Sequence, residues 1–185
     1  VLFLLWVAGR IALISSHLIG PPLAAGIDLL FLAALAAVIT REIIAGNNTR
    51  NIKVLAVVAL LWIANALFHA EALAGQTEGY GTRLGVAAVV FLIQLIGGRI
   101  IPSFTRNWLA RREAGRLPVV VNRFDTATMA VSALALGSWV LMPTRSGTAV
   151  IAFAAAVLTT IRLFRWAGHR TWSEPLVLIL HIAYA

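Results

Sequence analysis

Twenty residues, Gly97 to Arg116 (GGRIIPSFTRNWLARREAGR), follow a strongly apolar run from Leu84 to Ile96 and gather Arg99, Arg106, Arg111, Arg112 and Arg116. An apolar stretch that gives way to clustered cations is the pattern of a helix leaving a bilayer on the side where positive charge accumulates. The feature constrains the solvent of the whole chain. Hydrophobic residues make up 61% of the 185 and charged residues 12%, about half the charged share of a soluble domain. A soluble core of this size cannot hide so many apolar side chains, so the excess faces lipid. The net charge of +8 lies in short loops between apolar segments, without a basic face interleaved with aromatics, and nucleic-acid binding is excluded on that ground. Cysteine is absent, which removes disulfides and thiolate ligands.

A helix needs about 20 mostly apolar residues to cross a hydrocarbon layer of about 30 Å. By that rule the chain is all-α, a polytopic membrane bundle read as a single transmembrane domain of seven segments: 1–19, 22–39, 54–73, 84–101, 126–141, 148–163 and 175–185. Turn chemistry marks the breaks at Gly20-Pro21-Pro22, Gly46-Asn47-Asn48, Gly79-Tyr80-Gly81, Pro143 and Ser146-Gly147. The chain begins at Val1 and stops at Ala185 inside apolar runs, so a fragment of a longer protein is expected. Small residues such as Ala24, Ala25 and Ala155 are expected to let helices approach closely.

Cations in alternate loops set the orientation. The loops after the second, fourth and sixth segments collect Arg41, Arg50, Lys53, Arg99, Arg106, Arg111, Arg112, Arg116, Arg123, Arg162, Arg165 and Arg170, while the opposite loops hold Arg83 and Arg145. Twelve against two puts loops 40–53, 102–125 and 164–174 in the cytoplasm. Pro102 is expected to end its helix, with Ser103, Thr105 and Asn107 available as caps, and Arg106–Arg112 reads as a short interfacial helix with Trp108 at headgroup level.

Ionisable groups at membrane depth are costly, and each is a candidate site. Arg10 and Asp28 flank the Gly20-Pro21 turn at distances that give them similar depth in a helical hairpin, suiting either a structural ion pair or an anion-holding role for Arg10. His17 falls seven residues after Arg10, on the same face. Trp62, Asn65 and His69 at i, i+3 and i+7 form one polar-aromatic stripe. His69 is either a satisfied interior histidine or a metal ligand, since imidazole is the commonest side-chain ligand and no thiolate competes. His181, with Tyr184 three residues on, is the second metal candidate. It is expected about 9 Å inside the cytoplasmic face and His69 about 7 Å inside the other, too far apart to share one iron. Arg99, after Gly97-Gly98, either snorkels to the interface or turns inward to a carboxylate. His169 beside Arg170 reads as solvated. Hydrolase, P-loop and HExxH motifs are missing from the sequence, so no catalytic residue is assigned and whether the chain is an enzyme stays open.

The motif GGRIIPSFTRNWLARR resembles the NnrS family of bacterial polytopic membrane proteins, as do LLWVAGRIAL near the start, NTRNIKVLAVVALLWIANALFH, and EPLVLILHIAYA at the end. The matching pattern falls on Trp6, Gly9 and Arg10; on Asn65 and His69; on Gly98, Arg99, Pro102, Phe104, Thr105 and Asn107; and on His181 and Tyr184. The resemblance implies a protein of roughly twelve spans in the bacterial inner membrane, holding haem and copper and linked to denitrification and to tolerance of nitric oxide. Taken with the residues themselves, it makes His69, His181, His17, Arg10, Arg99 and Asn65 the candidate cofactor contacts, His69 and His181 the candidate metal ligands, and nitric oxide a candidate ligand of the centre. A second reading from the residues alone is a secondary transporter whose path uses Arg10, Asp28 and Arg99.

Overall fold

The computed structural model describes residues 1–112, 115–119 and 121–185, the side chain of Arg50 excepted. All regular structure among them is helical: α1 (Leu2–Ile14), α2 (Ser16–Ile19), α3 (Pro21–Ala45), α4 (Ile52–Leu73), α5 (Tyr80–Arg112), α6 (Arg123–Leu141), α7 (Ser146–Arg165) and α8 (Pro175–Tyr184), with single 3₁₀ turns at Thr49–Asn51 and Gly168–Arg170. Five of them, α3 to α7, are long and apolar enough to cross a membrane. The expected first and last segments form shorter helices: 13 residues in α1 and 10 in α8, about 20 and 15 Å at 1.5 Å per residue.

The distribution of side chains is the reverse of a soluble core. Outward-facing positions carry Phe3, Ile11, Leu30, Val150, Phe153 and Phe164, while Asp28, His69, Asp125, Arg162 and His181 are buried. That arrangement is stable where lipid is the solvent, since apolar side chains lose nothing there and polar groups find partners only inside. Helix contacts are built on small residues: Ala24, Ala25, Ala64, Ala87, Ala135 and Ala155 are all buried, as the close packing of membrane helices requires. Gly26, Ala152 and Ala154, small residues close to them in the sequence, are exposed.

The chain divides into two compact units, residues 1–89 and 90–185, with α5 running on from the first into the second. In the first unit α1 packs on α3 and α3 on α4. Gly20, at φ 90°, turns the chain between α2 and α3, and Pro21 opens α3 in the first turn, where its missing N–H costs nothing. In the second unit α6 packs on α7. Asn122 and Asp125 close a reciprocal capping box that starts α6 at Arg123, three residues ahead of the expected boundary.

Two expectations are corrected. Pro102 does not end its helix. It lies inside α5, fully buried, and the segment expected as a separate interfacial helix is the last part of α5. A proline costs one amide hydrogen bond and crowds the carbonyl four residues back; here that residue is Gly98. Membrane helices tolerate the break because neighbouring helices and hydroxyl groups serve the freed backbone. Thr105 accordingly caps nothing: its hydroxyl donates to the Ile101 carbonyl one turn back, at 2.9 Å. The cytoplasmic loop expected over 102–125 therefore shrinks, and residues 113, 114 and 120 of it lie outside the described residues. The second correction concerns Arg162, counted among the loop cations. It sits within α7 at 3% exposure, an interior side chain.

Candidate functional site

In the first unit three helices converge on one carboxylate. Asp28 of α3 is 3% exposed. Its Oδ1 accepts from the Arg10 guanidinium of α1. Its Oδ2 accepts from Asn65 Nδ2 at 2.8 Å and meets His69 Nε2 at 3.1 Å, both on α4. The pair expected across the Gly20-Pro21 turn and the stripe expected on α4 are thus one cluster. Trp62, the third member of the stripe, donates to the Leu29 carbonyl at 3.1 Å and fixes α4 against α3 beside it. Gly9 makes the approach possible: a Cβ there would stand 3.0 Å from Asp28 Oδ1 and 3.2 Å from its Cα. Arg10 is half-exposed, with 49% of its side chain accessible, so its charge reaches the surface while its fork holds the buried carboxylate.

A carboxylate only accepts, so in this network the proton of His69 belongs on Nε2. His69 Nδ1 is then the basic nitrogen. A histidine whose one nitrogen is held by a carboxylate is the arrangement that orients an imidazole toward a metal with the other. His17, on the exposed turn of α2, is outside this cluster.

Glu71 is a further buried carboxylate of the first unit. It accepts from the backbone N–H groups of Tyr80 at 2.7 Å and Gly81 at 3.2 Å, the first two amides of α5. A helix start leaves such amides unpaired and carries partial positive charge, so Glu71 acts as a cap supplied by the preceding helix. Gly81 lies against the Phe68 backbone so tightly that no Cβ would fit.

The second unit is built around Arg162. Its Nε donates to Asp125 Oδ1 at 2.8 Å, with both side chains buried. Its Nη1 approaches the Gln94 carbonyl at 3.4 Å, Met129 Sδ at 3.3 Å and Tyr184 Oη at 3.4 Å. The guanidinium also lies 5.2 Å from the centre of the Trp166 ring. Trp166, 1% exposed, packs edge-on against Tyr184 at 4.9 Å between centroids. The Gly97-Gly98 pair makes room for these groups: the Tyr184 ring covers Gly97, and the Arg162 guanidinium fills the space a Cβ on Gly98 would take.

His181 sits beside this network. Thr105 Oγ1 lies 2.8 Å from His181 Nε2, and the hydroxyl's one proton goes to the Ile101 carbonyl, so Thr105 accepts from a protonated Nε2. His181 Nδ1 is buried without a hydrogen-bond partner. It lies against Gly168, where a Cβ would come within 2.7 Å. Thr105, His181 and Tyr184, three positions of the sequence motif, therefore belong to one constellation. Arg99 is half-buried on α5, and the exposed His169 is where a solvated residue was expected.

His69 and His181 fall in different units, each with its own partner. Among the described residues, no three His, Cys, Asp or Glu side chains gather into a group able to hold a metal ion. Residue-by-residue reasoning missed Asp125, Arg162 and Glu71. The Asn122-x-x-Asp125 spacing of a capping box was legible in the sequence; nothing local marked Arg162 as interior.

Apolar spanning helices that enclose charged and imidazole side chains define a multi-pass membrane protein with polar networks at depth. Within that class, the family model described as NnrS protein matches residues 1–185, and the chain belongs to the NnrS family. No curated protein and no solved structure matches it.

Proposed function

We propose that this chain belongs to a haem- and copper-binding protein of the bacterial inner membrane that acts in the nitric oxide response and denitrification. Family membership supports the reading, and the observation that carries it is the Asp28–His69 pair. A buried imidazole held at Nε2 by a carboxylate that also receives Arg10 and Asn65 fits a metal ligand through Nδ1. His69 would hold the metal in the first unit, with Asp28 fixing ring orientation and Arg10 offering a half-exposed cation for an anionic group. His181 is the second candidate through its unpartnered Nδ1, and a ligand there requires the ring to move off Gly168. Bound iron or copper would supply an open position for nitric oxide.

The test is an optical spectrum and elemental analysis of full-length protein with His69→Ala and His181→Ala beside wild type. Loss of the Soret band or of copper in His69→Ala supports the assignment. Wild-type protein with neither a Soret band nor copper overturns it.

A second reading rests on the same cluster. A buried carboxylate linked to an imidazole on one side and a half-exposed arginine on the other suits a proton or substrate path in a secondary transporter. Arg99, the third residue of that reading, lies in the other unit. Asp28→Asn that abolishes uptake or counterflow while metal content stays unchanged would favour transport over metal chemistry.

A further inference from the structure

The second unit holds a cavity of about 430 Å³ where the stretch before α6 meets the end of α7 and the turn after it, within the range of ordinary ligand sites. Arg116, Arg165, His169 and Arg170 line it together with Trp166. Among the described residues, the carboxylate on its wall is Asp125, and both oxygens of that group are engaged: Oδ1 by Arg162 and Oδ2 by the Asn122 backbone amide. Three arginines, Arg116, Arg165 and Arg170, therefore line a cavity on which the described carboxylate is already engaged. The wall is also held in place. Arg170 Nη1 donates to the Arg116 carbonyl at 2.9 Å, Arg106 Nη1 to the Pro118 carbonyl at 3.2 Å, and the Arg165 guanidinium lies 4.5 Å from the centre of the Phe124 ring.

We infer that this cavity binds a phosphate group, carried either by an anionic phospholipid or by a small soluble phosphate. Guanidinium forks match phosphate oxygens in pairs, and basic pockets at the ends of membrane helices take anionic headgroups. The exposed Trp172, two residues past Arg170, is a side chain suited to the headgroup level. The inference is independent of the His69 metal reading, since none of its residues belongs to the Asp28–His69 cluster.

Native mass spectrometry of lipid-stripped, full-length protein tests it, with phosphatidylglycerol, phosphatidylcholine and inorganic phosphate as probes. The expected result is retention of phosphatidylglycerol at least about tenfold above phosphatidylcholine, the signature of charge-assisted contacts. Arg116→Gln with Arg165→Gln, both at exposed positions, reduces it by about tenfold or more, while Arg41→Gln with Arg111→Gln leaves it within about threefold. Millimolar phosphate that displaces the lipid identifies a soluble phosphate as the occupant; lipid that resists it identifies the headgroup. Equal retention of the two lipids by wild-type protein, with no inorganic phosphate bound either, overturns the inference without any variant. An equal loss in the Arg41/Arg111 control overturns it as well, because net charge alone would then account for binding.

Discussion

Arg162→Met is the most demanding test of the second unit. The substitution keeps an unbranched side chain of similar reach but leaves Asp125, 3% exposed, without its guanidinium. Two unit charges about 4 Å apart attract by about 4 kcal/mol at an effective dielectric near 20. Much of that attraction offsets desolvation of the two groups, so the intact pair adds little net stability, whereas removing one partner strands the other and costs about 3–5 kcal/mol. The lost ring contact with Trp166 adds about 0.5–1 kcal/mol. Arg162→Met is therefore expected to destabilise the protein by about 4 kcal/mol. Adding Asp125→Asn should restore more than half of the loss. Asparagine keeps an acceptor for the Asn122 amide, and hence the capping box that starts α6, while removing the stranded charge. Equilibrium unfolding in mixed micelles, run as a double-mutant cycle, gives the coupling directly. If the double variant lost as much as the two single variants summed, the two charges would be energetically independent and the reasoning would fail.

Two glycines of the membrane helices should respond in opposite ways to alanine, measured in the same unfolding assay. Gly98→Ala puts a Cβ where the Arg162 guanidinium lies and should cost at least about 2 kcal/mol by forcing that charge out of place, while Gly26→Ala, with no atom within 4 Å of the new Cβ, should be neutral or stabilise by up to about 1 kcal/mol. Glu71→Ala removes the acceptor of the first two amides of α5 and should cost about 1–2 kcal/mol, with faster amide exchange at Tyr80 and Gly81 by hydrogen–deuterium exchange; unchanged protection there would mean that Glu71 is no cap.

Several features were legible before any coordinates. The run lengths and turn residues located all seven apolar helices to within a few residues at most ends, because lipid requires continuous apolar cover and Gly, Pro and Asn interrupt it. The similar spacing of Arg10 and Asp28 from the Gly20-Pro21 turn placed them at similar depth, since helical rise converts residue number into depth, and of the two roles this allowed the structure shows the ion pair. The i, i+3, i+7 interval placed Trp62, Asn65 and His69 on one face, and all three meet α3.

Only the tertiary structure decided which groups share a partner. Asp28 joins Arg10, Asn65 and His69 because α1 and α4 both pack on α3, with Gly9 set against Asp28, and no spacing along one helix carries that information. Pro102 shows the same limit: taken locally it ends a helix, yet α5 continues through it because neighbours serve the backbone it frees. Arg162 looked like a loop cation in the sequence and is interior in the fold, because Asp125 and Tyr184, distant in the chain, join Trp166 one turn on to surround it. Hydrophobic cover is a property of each segment and can be read in order along the chain. Charge compensation at depth is a property of pairs brought together by packing, and it exists only once the helices have met.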